Sequence, residues 1–437
     1  MKLFILYILL IGITIQKYLI LDIKKDNEKQ FQIINNNNFV KDEEIMEILF
    51  YNNIFTLINV GRPKKEVQFF LVFDTDKTIL NTNEYSKFRS ISYKYNNITN
   101  ESIDLFEFND NYKINSYSFY LINDTEKNNK NKYSIIGLKP QNINPDINNN
   151  TNFLNQLQKD GLINKRVFSL IYNENKRFEN ILKKQILLIG ALPEEYNLNY
   201  YSKNKVRWAK ISKNYKNNGQ NWKIKIDSFG SNFNLTYFYN TYIEFVLEYN
   251  LIIGPDDFRI YLLDNIIGSL IDKKVCKEDY FYSENLETSY IFYVCNQLED
   301  FKNKILYFKN KELNETFEIK LDELFYRYNR KLFFGMIFDG DIKKDKKEKN
   351  VWKMGKIFYD KYSFVFDDEN KLIGYYKIEK ETENPYIILI CFIIFFCFII
   401  VLFIIGQNLR KNKNINNLDN KKKTNNIINE NLKEKID

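Results

Sequence analysis

Apolar and polar positions along most of the chain follow the two-residue period of β-strands. Residues 66–73 form a bounded apolar run that ends at Asp74, which is typical of a buried strand. Residues 222–227 alternate apolar with polar side chains and predict a half-buried strand, and residues 362–376 predict a hairpin around a polar turn. Only residues 152–161 carry apolar side chains at helical spacing before a glycine, which predicts a short helix. The pattern therefore predicts a mostly β fold.

The two ends of the chain carry longer apolar segments. An apolar core behind one positive charge predicts a signal peptide over residues 1–16, with a retained anchor as the alternative. Residues 387–405 are 19 consecutive apolar residues, which would span about 28 Å as a helix and predict a transmembrane helix over 386–405. Basic residues are denser after this segment than before it, so the tail over 406–437 is predicted to be cytoplasmic. The expected product is a single-pass type I membrane protein of the secretory pathway or cell surface, with a luminal or extracellular ectodomain.

The amino-acid composition excludes several kinds of catalytic group, metal site and partner. The chain contains no histidine, which removes Ser-His-Asp and Cys-His catalysis and the common zinc sites. The net charge of +8 comes from 64 basic residues scattered among 56 acidic ones, so no nucleic-acid partner is expected. Only 14 glycines are present, without a phosphate-binding loop motif, and no metal or cofactor is expected. Carboxylates, hydroxyls and lysines remain as candidate reactive groups.

Export of the ectodomain would allow its cysteines to form a disulfide and its sequons to be glycosylated. Cys276 and Cys295 are the only cysteines before the apolar C-terminal segment, and in an oxidising compartment they are expected to form a disulfide. Asn-x-Ser/Thr sequons predict glycosylation, although several are chance matches in a chain so rich in asparagine. The candidate glycosylation sites are Asn97, Asn100, Asn123, Asn149, Asn234 and Asn314.

The order of short motifs resembles the pepsin-like aspartic peptidases over nearly the whole ectodomain, from Ile54 to Tyr376. The carrying segments, in chain order, are Ile54-Phe-Thr-Leu-Ile-Asn-Val-Gly-Arg-Pro63, Val72-Phe-Asp-Thr-Asp76, Tyr133-Ser-Ile-Ile-Gly-Leu138, residues 153–172, Leu187-Leu-Ile-Gly190 with Trp208-Ala-Lys-Ile211, Leu251-Ile-Ile-Gly-Pro255, Val351-Trp-Lys-Met-Gly355, and Phe358 with residues 362–374. The resemblance implies a bilobal acid-protease fold plus the C-terminal transmembrane helix. It divides the chain into a pre-domain segment (17–50), an N-terminal lobe (51–205) and a C-terminal lobe (206–380), and implies a peptide or protein ligand in the interlobe cleft.

Departures from the family pattern concern the catalytic pair. Two carboxyls that share a proton and hold a water are required, and Asp74 occupies the first position. Counting back from Gly254 puts the second position on Val246, which can neither take nor give a proton. Asp227 as the second motif, or rescue by Glu244 or Glu248, are the alternatives.

The loop and the flap around the first position also depart from the pattern. Asp76 replaces the glycine of the first loop and adds a Cβ and a second negative charge. Tyr95 matches the flap tyrosine, but the sequons at Asn97 and Asn100 fall on the flap tip. The leading expectation is a catalytically impaired, membrane-anchored peptide-binding homologue. An active aspartic endopeptidase with a misplaced second carboxylate, or a structural surface glycoprotein, are the alternatives.

Overall fold

The fold is mostly β, as the sequence pattern predicts. A computed structural model describes the chain in separate stretches. They are residues 17–25, 40–122, 133–141, 151–172, 185–196, 206–212, 220–233, 241–283, 286–340, 350–376, 393–405 and 407. Residues up to Lys377 form one compact unit, and residues from Ile378 onwards form a second.

Strands far outnumber helices in the described part of the chain. The strands are β1 (Leu19–Lys25), β2 (Ile54–Val60), β3 (Lys65–Val72), β4 (Thr78–Asn81), β5 (Lys94–Asn96), β6 (Glu101–Asn109), β7 (Tyr112–Ile122), β8 (Ser134–Gly137), β9 (Val167–Tyr172), β10 (Gln185–Ile189), β11 (Val206–Lys210), β12 (Lys223–Ile226), β13 (Ser228–Ser231), β14 (Thr241–Phe245), β15 (Ile252–Gly254), β16 (Cys276–Ser283), β17 (Thr288–Cys295), β18 (Ile305–Asn310), β19 (Glu315–Lys320), β20 (Phe325–Tyr328), β21 (Lys331–Phe334), β22 (Met336–Asp339), β23 (Val351–Met354), β24 (Ser363–Asp367) and β25 (Leu372–Tyr376). The α-helices are α1 (Asp42–Phe50), α2 (Phe153–Lys159), α3 (Pro193–Tyr196), α4 (Asp256–Leu262), α5 (Gly268–Asp272) and α6 (Lys356–Tyr359); a π-helical turn (Leu263–Ile267) joins α4 to α5, and 3₁₀ turns lie at Lys87–Arg89, Glu299–Phe301 and Leu321–Leu324.

The strands form three sheets. The largest runs β11-β25-β24-β9-β10-β1-β2-β3-β8-β4-β7-β6-β5, so it joins strands from the beginning, middle and end of the described chain. The second runs β12-β14-β23-β15-β22-β17-β21-β20, with β16 paired to β17, and the third is β13-β18-β19. Most pairings are antiparallel; the parallel ones are β3–β8, β4–β7, β14–β23 and β15–β22.

The elements predicted from periodicity are confirmed. The run at 66–73 is β3, the alternating segment at 222–227 contains β12, and the predicted hairpin is β24 paired with β25. The helix predicted within residues 152–161 is α2, because the side chain of Asn152 accepts the hydrogen bond of an N-terminal backbone N–H and the chain turns at Gly161, where φ is +68°.

The segment before residue 51 enters the fold through β1 and α1. Strand β1 pairs with β10 from Leu19 opposite Ile189, and with β2 at its other end. Helix α1 buries Phe50 in a core cluster with residues of β16, β17 and the chain after β14. Its other end is fixed by Asp42, which accepts ion pairs from Lys277 at 2.7 Å and Lys331 at 2.8 Å. Both elements therefore belong to the folded unit.

The predicted disulfide is present. Cys276 and Cys295 lie directly opposite each other at the ends of β16 and β17, with Cα atoms 4.0 Å apart. Both residues are buried against the main core. The bond therefore closes the hairpin at its open end.

Replacing both cysteines by serine is expected to lower the free energy of unfolding by roughly 3 kcal/mol. The physical reason is the entropy that a cross-link of this loop length removes from the unfolded chain; the two cysteines are 19 residues apart. Urea denaturation of the double variant measures the loss. Addition of reductant should lower the urea midpoint of the wild type and leave that of the variant unchanged, and equal midpoints without reductant would contradict the prediction.

Residues 393–405 of the second unit are helical. In the part of the chain that the structure describes, no helix reaches the length and apolarity needed to cross a membrane. The rest of the segment predicted at 386–405, the predicted signal peptide over 1–16 and nearly all of the tail over 406–437 lie outside the described residues.

Candidate carboxyl pair

Asp74 lies in the loop between two strands that both pair with β8. Within β8, Ile136 faces Leu71 of β3 on one side and Thr78 of β4 on the other. Asp74 therefore stands three residues after one partner of Ile136 and four residues before the other. This register defines its place in the first loop, residues 73–77.

A second loop, residues 247–251, repeats the same arrangement. Met354 of β23 faces Phe245 of β14 in a parallel pair and Ile252 of β15 in an antiparallel pair. The residue three after Phe245 and four before Ile252 is Glu248. The ladders thus put Glu248, and not Val246, at the position equivalent to Asp74.

By ladder position Val246 is therefore not equivalent to Asp74, which differs from the assignment made by counting. Counting back from Gly254 gives a residue two positions before Glu248, because it does not take the pairing with Met354 into account. Val246 is equivalent to Val72, the last residue of β3, and its side chain lies in the core cluster that contains Phe50. A buried valine is the ordinary choice for a strand end.

A glycine at the end of β8 and another directly after β23 let both loops approach these strands closely. A Cβ at Gly137 would lie 2.4 Å from the carbonyl oxygen of Thr75, and one at Gly355 would lie 2.5 Å from that of Tyr249. Neither distance is sterically possible, so each loop requires the missing side chain. Thr75 and Tyr249 follow the two carboxyl residues directly. The arrangement of strand, carboxyl loop and glycine thus occurs twice in the described residues, with the glycines at 137 and 355.

The Glu248 carboxylate reaches across to the first loop. Its Oε1 accepts hydrogen bonds from the backbone N–H groups of Phe73 and Asp74, the latter at 3.0 Å. Its Oε2 is buried and has no hydrogen-bond partner among the described residues. A buried carboxyl oxygen without a partner is costly when the group is ionised and much less so when it is protonated.

The electrostatics of the pair follow from this geometry. Burial, and then the negative charge of Asp74, raise the pKa of Glu248 to about 7, although backbone N–H groups oppose the rise. Part of the Asp74 side chain is exposed to solvent, yet burial of the carboxyl still raises its pKa; the Lys139 ammonium is the main opposing influence. The negative charge of Asp74 thus opposes ionisation of Glu248, as expected for two carboxyls that lie near each other.

Residues from the first unit's N-terminal segment hold the second loop in place. The backbone N–H of Asn52 donates to the carbonyl of Glu248 at 2.8 Å, and its side-chain amide donates to Leu247 at the same distance. The side-chain amide of Asn250 donates to the carbonyls of residues 49 and 51. Phe50 stacks on Tyr249 with ring centroids 4.5 Å apart. Residues 49–52 are thus a clamp on the loop that carries Glu248.

Trp222 forms hydrogen bonds with residues next to both loops. Its indole Nε1 donates to the carbonyl of Leu138 at 2.6 Å, and its backbone carbonyl accepts from the N–H of Phe245 at 2.8 Å. The fully buried ring contacts the rings of Phe73, next to Asp74, and of Phe366. Trp222 therefore contacts the support of Asp74 through its side chain and the strand before Glu248 through its backbone.

Two alternatives for the second carboxylate lie elsewhere in the fold. Asp227 is exposed between β12 and β13, where its carboxylate accepts the backbone N–H of Lys311 at 2.6 Å. Glu244 lies on β14 opposite Lys223 and accepts from the side-chain amide of Asn221 at 2.7 Å. Neither carboxylate contacts the first loop in the described residues.

The flap residues stand as a short exposed hairpin. Tyr95 lies on β5 with half of its side chain exposed, and its hydroxyl donates to Asn100 at 3.1 Å. The side chains of Asn97, Asn100 and Asn314 are exposed. Asn123, Asn149 and Asn234 lie outside the described residues. Asp76 holds its place in the first loop, where its carbonyl accepts from the side chain of Asn152 at 3.2 Å.

Comparisons with known proteins add no relative. No protein-family model matches the chain, and a search of curated proteins finds no match.

Proposed function

We propose that this protein is a membrane-tethered peptide hydrolase of the pepsin-like type, in which Asp74 and Glu248 form the catalytic pair. The observation that carries the proposal is the equivalent ladder position of the two residues together with the contact of Glu248 Oε1 with the Asp74 N–H. The bilobal architecture, the interlobe cleft and the luminal or extracellular ectodomain are parts of the same proposal. The motif order, and for the tether the 19-residue apolar segment, support them.

The proposed chemistry is general acid–base catalysis. An ionised Asp74 takes a proton from a water that attacks the peptide carbonyl, while a protonated Glu248 donates to the carbonyl oxygen as the tetrahedral intermediate forms. In the second step Asp74 gives its proton to the amine nitrogen, the C–N bond breaks, and Glu248 takes a proton back from the intermediate as the new carboxyl group forms. Glutamate is one methylene longer than aspartate, and this length lets its Oε1 reach the amides of the first loop while Oε2 remains for the proton. The raised pKa of Glu248, about 7, keeps that proton in place up to near-neutral pH.

The test is cleavage of a degenerate peptide library by the full chain in detergent, from pH 3 to pH 8. Asp74→Asn and Glu248→Gln are each expected to lower kcat/KM by a factor of about 10² to 10⁴, because each removes one proton-transfer group. Glu244→Gln is the matched control, since Glu244 is a half-buried glutamate four residues from Glu248. If Glu248→Gln kept wild-type activity, or if Glu244→Gln lost as much activity as Glu248→Gln, Asp74 and Glu248 would not be the catalytic pair.

A peptide-binding protein without turnover is the second candidate, and one specific observation favours it. Glu248 Oε1 is already engaged by two backbone N–H groups of the first loop, which is the kind of contact that holds loops together. Fluorescence anisotropy with a labelled statine-type peptide separates the candidates. Saturable binding without cleavage at any pH would support this second function, and neither binding nor cleavage would contradict both.

A further inference from the structure

The carboxyl pair is symmetric in ladder position but not in its surroundings. Two residues after Gly137 stands Lys139, whereas two residues after Gly355 stands Ile357. The other cation in that second segment, Lys356, forms an ion pair with Asp360. A positive charge therefore accompanies the first loop, and no equivalent charge accompanies the second among the described residues.

Lys139 is built into the support of Asp74. Its backbone N–H donates to the carbonyl of Thr75 at 3.0 Å, and its ammonium donates to the carbonyl of Asp74 at 3.2 Å. The side chain is half-buried. Its positive charge lies close enough to the Asp74 carboxyl to lower the pKa of that group, against the rise caused by burial.

We propose that Lys139 is a positioning residue that decides which member of the pair carries the proton, by holding Asp74 ionised and leaving the proton on Glu248. The inference rests on the proposed function for its catalytic meaning, because it assigns Asp74 as the base and Glu248 as the acid. Its first measurement is one that requires no turnover.

The charged and titratable groups around the pair are consistent with an ionised Asp74 and a protonated Glu248. Asp74 faces Glu248 and Lys139, and its own loop also carries Asp76 and Lys77. Glu248 faces Asp74 and the neighbouring Tyr249, whose pKa burial raises well above its usual value, so that its hydroxyl stays neutral. Within the described stretches, Lys139 is the cation that influences the pKa of Asp74, and no cation there acts comparably on Glu248.

Infrared difference titration of the carboxylic-acid C=O stretch tests the assignment in the full chain. In the wild type an acid band is expected to disappear near pH 7. This band should be lost in Glu248→Gln and retained in Asp74→Asn, where it titrates at lower pH because one negative charge is gone. A neutral-pH band that is lost in Asp74→Asn and retained in Glu248→Gln would overturn the proposal.

Substitutions of Lys139 then separate its charge from its hydrogen bond. Lys139→Gln keeps a donor for the Asp74 carbonyl but loses the charge, and is expected to raise the lower apparent pKa of the pair. Lys139→Arg should titrate like the wild type. Lys77→Gln is the matched control, because Lys77 lies in the same loop with its ammonium 4.8 Å from the Tyr120 ring. A wild-type titration in Lys139→Gln would show that only the hydrogen bond matters and would overturn the inference.

Kinetics provide the second readout. The acidic limb of the pH profile of kcat/KM should move to higher pH in Lys139→Gln and stay in place in Lys139→Arg and Lys77→Gln. If no variant turns over peptide but the infrared titrations behave as expected, the proposed hydrolysis fails and the proton assignment stands. If peptide is cleaved but Lys139→Gln shifts neither readout, the inference fails and the proposed hydrolysis stands.

Discussion

Replacing Glu248 by glutamine is expected to stabilise the protein at pH 8 by roughly 3 kcal/mol while changing little at pH 4. The pKa of Glu248 rises from an ordinary 4.5 to about 7 in the folded protein. Between these values the folded chain binds more protons than the unfolded chain, so the free energy of unfolding falls as pH rises through that window. Glutamine has no such titration, and its Oε1 can still accept the N–H groups of Phe73 and Asp74.

Urea denaturation from pH 4 to pH 8 measures this effect. The wild type should lose stability between about pH 4.5 and pH 7, and the Glu248→Gln variant should lack that component. Glu244→Gln serves as the control and should retain the wild-type pH dependence. A Glu248→Gln variant that is less stable than the wild type at pH 8 would mean that the ionised carboxylate, through its two backbone contacts, outweighs its burial.

Replacing Trp222 by alanine is expected to lower the free energy of unfolding by about 3–5 kcal/mol. The ring is only 1% exposed and packs against Phe73 and Phe366, so its removal leaves a cavity next to the first loop. Trp222→Phe keeps most of the volume but leaves the buried Leu138 carbonyl without its indole donor, at a cost of roughly 1–3 kcal/mol.

Urea midpoints of the two variants should follow that order. Trp208→Phe is the matched control, because Trp208 is only half-buried on β11 at the edge of the large sheet, and it should cost about 1 kcal/mol or less. Equal losses for Trp222→Phe and Trp208→Phe would contradict a special role for the buried indole.

Periodicity predicted the elements well because it reports burial directly. The alternation in β12 and the apolar run of β3 both match the side of each strand that faces the core. The glycines at 137 and 355 also stand out in the sequence. Each marks a position where a loop approaches the strand so closely that only glycine fits.

The sequence named Glu248 only as one alternative for the second carboxyl, because its ladder position depends on pairing between segments far apart in the chain. Counting from Gly254 assumes a fixed spacing, whereas the ladder through Met354 sets the true register. A signal was present: Val72-Phe-Asp and Val246-Leu-Glu share a valine, an apolar residue and an acid, each before a short buried strand. The role of Asn52 depends on contacts across nearly 200 residues, for which a single sequence holds no pattern.

The path of the largest sheet has a consequence for the order in which the protein can fold. Strand β1 is synthesised first but pairs with β10, and β9 in turn pairs with β24 near the end of the described unit. Closing such long loops is entropically costly, and topologies with distant pairings fold slowly. The clamp at residues 49–52 must likewise wait until the chain around Glu248 has been made. Because Met354 sets the register of the second loop, the carboxyl pair can assemble only after translation has passed residue 354. Until β24 has been made, β9 presents an unpaired strand edge, which is a site for wrong pairing during folding.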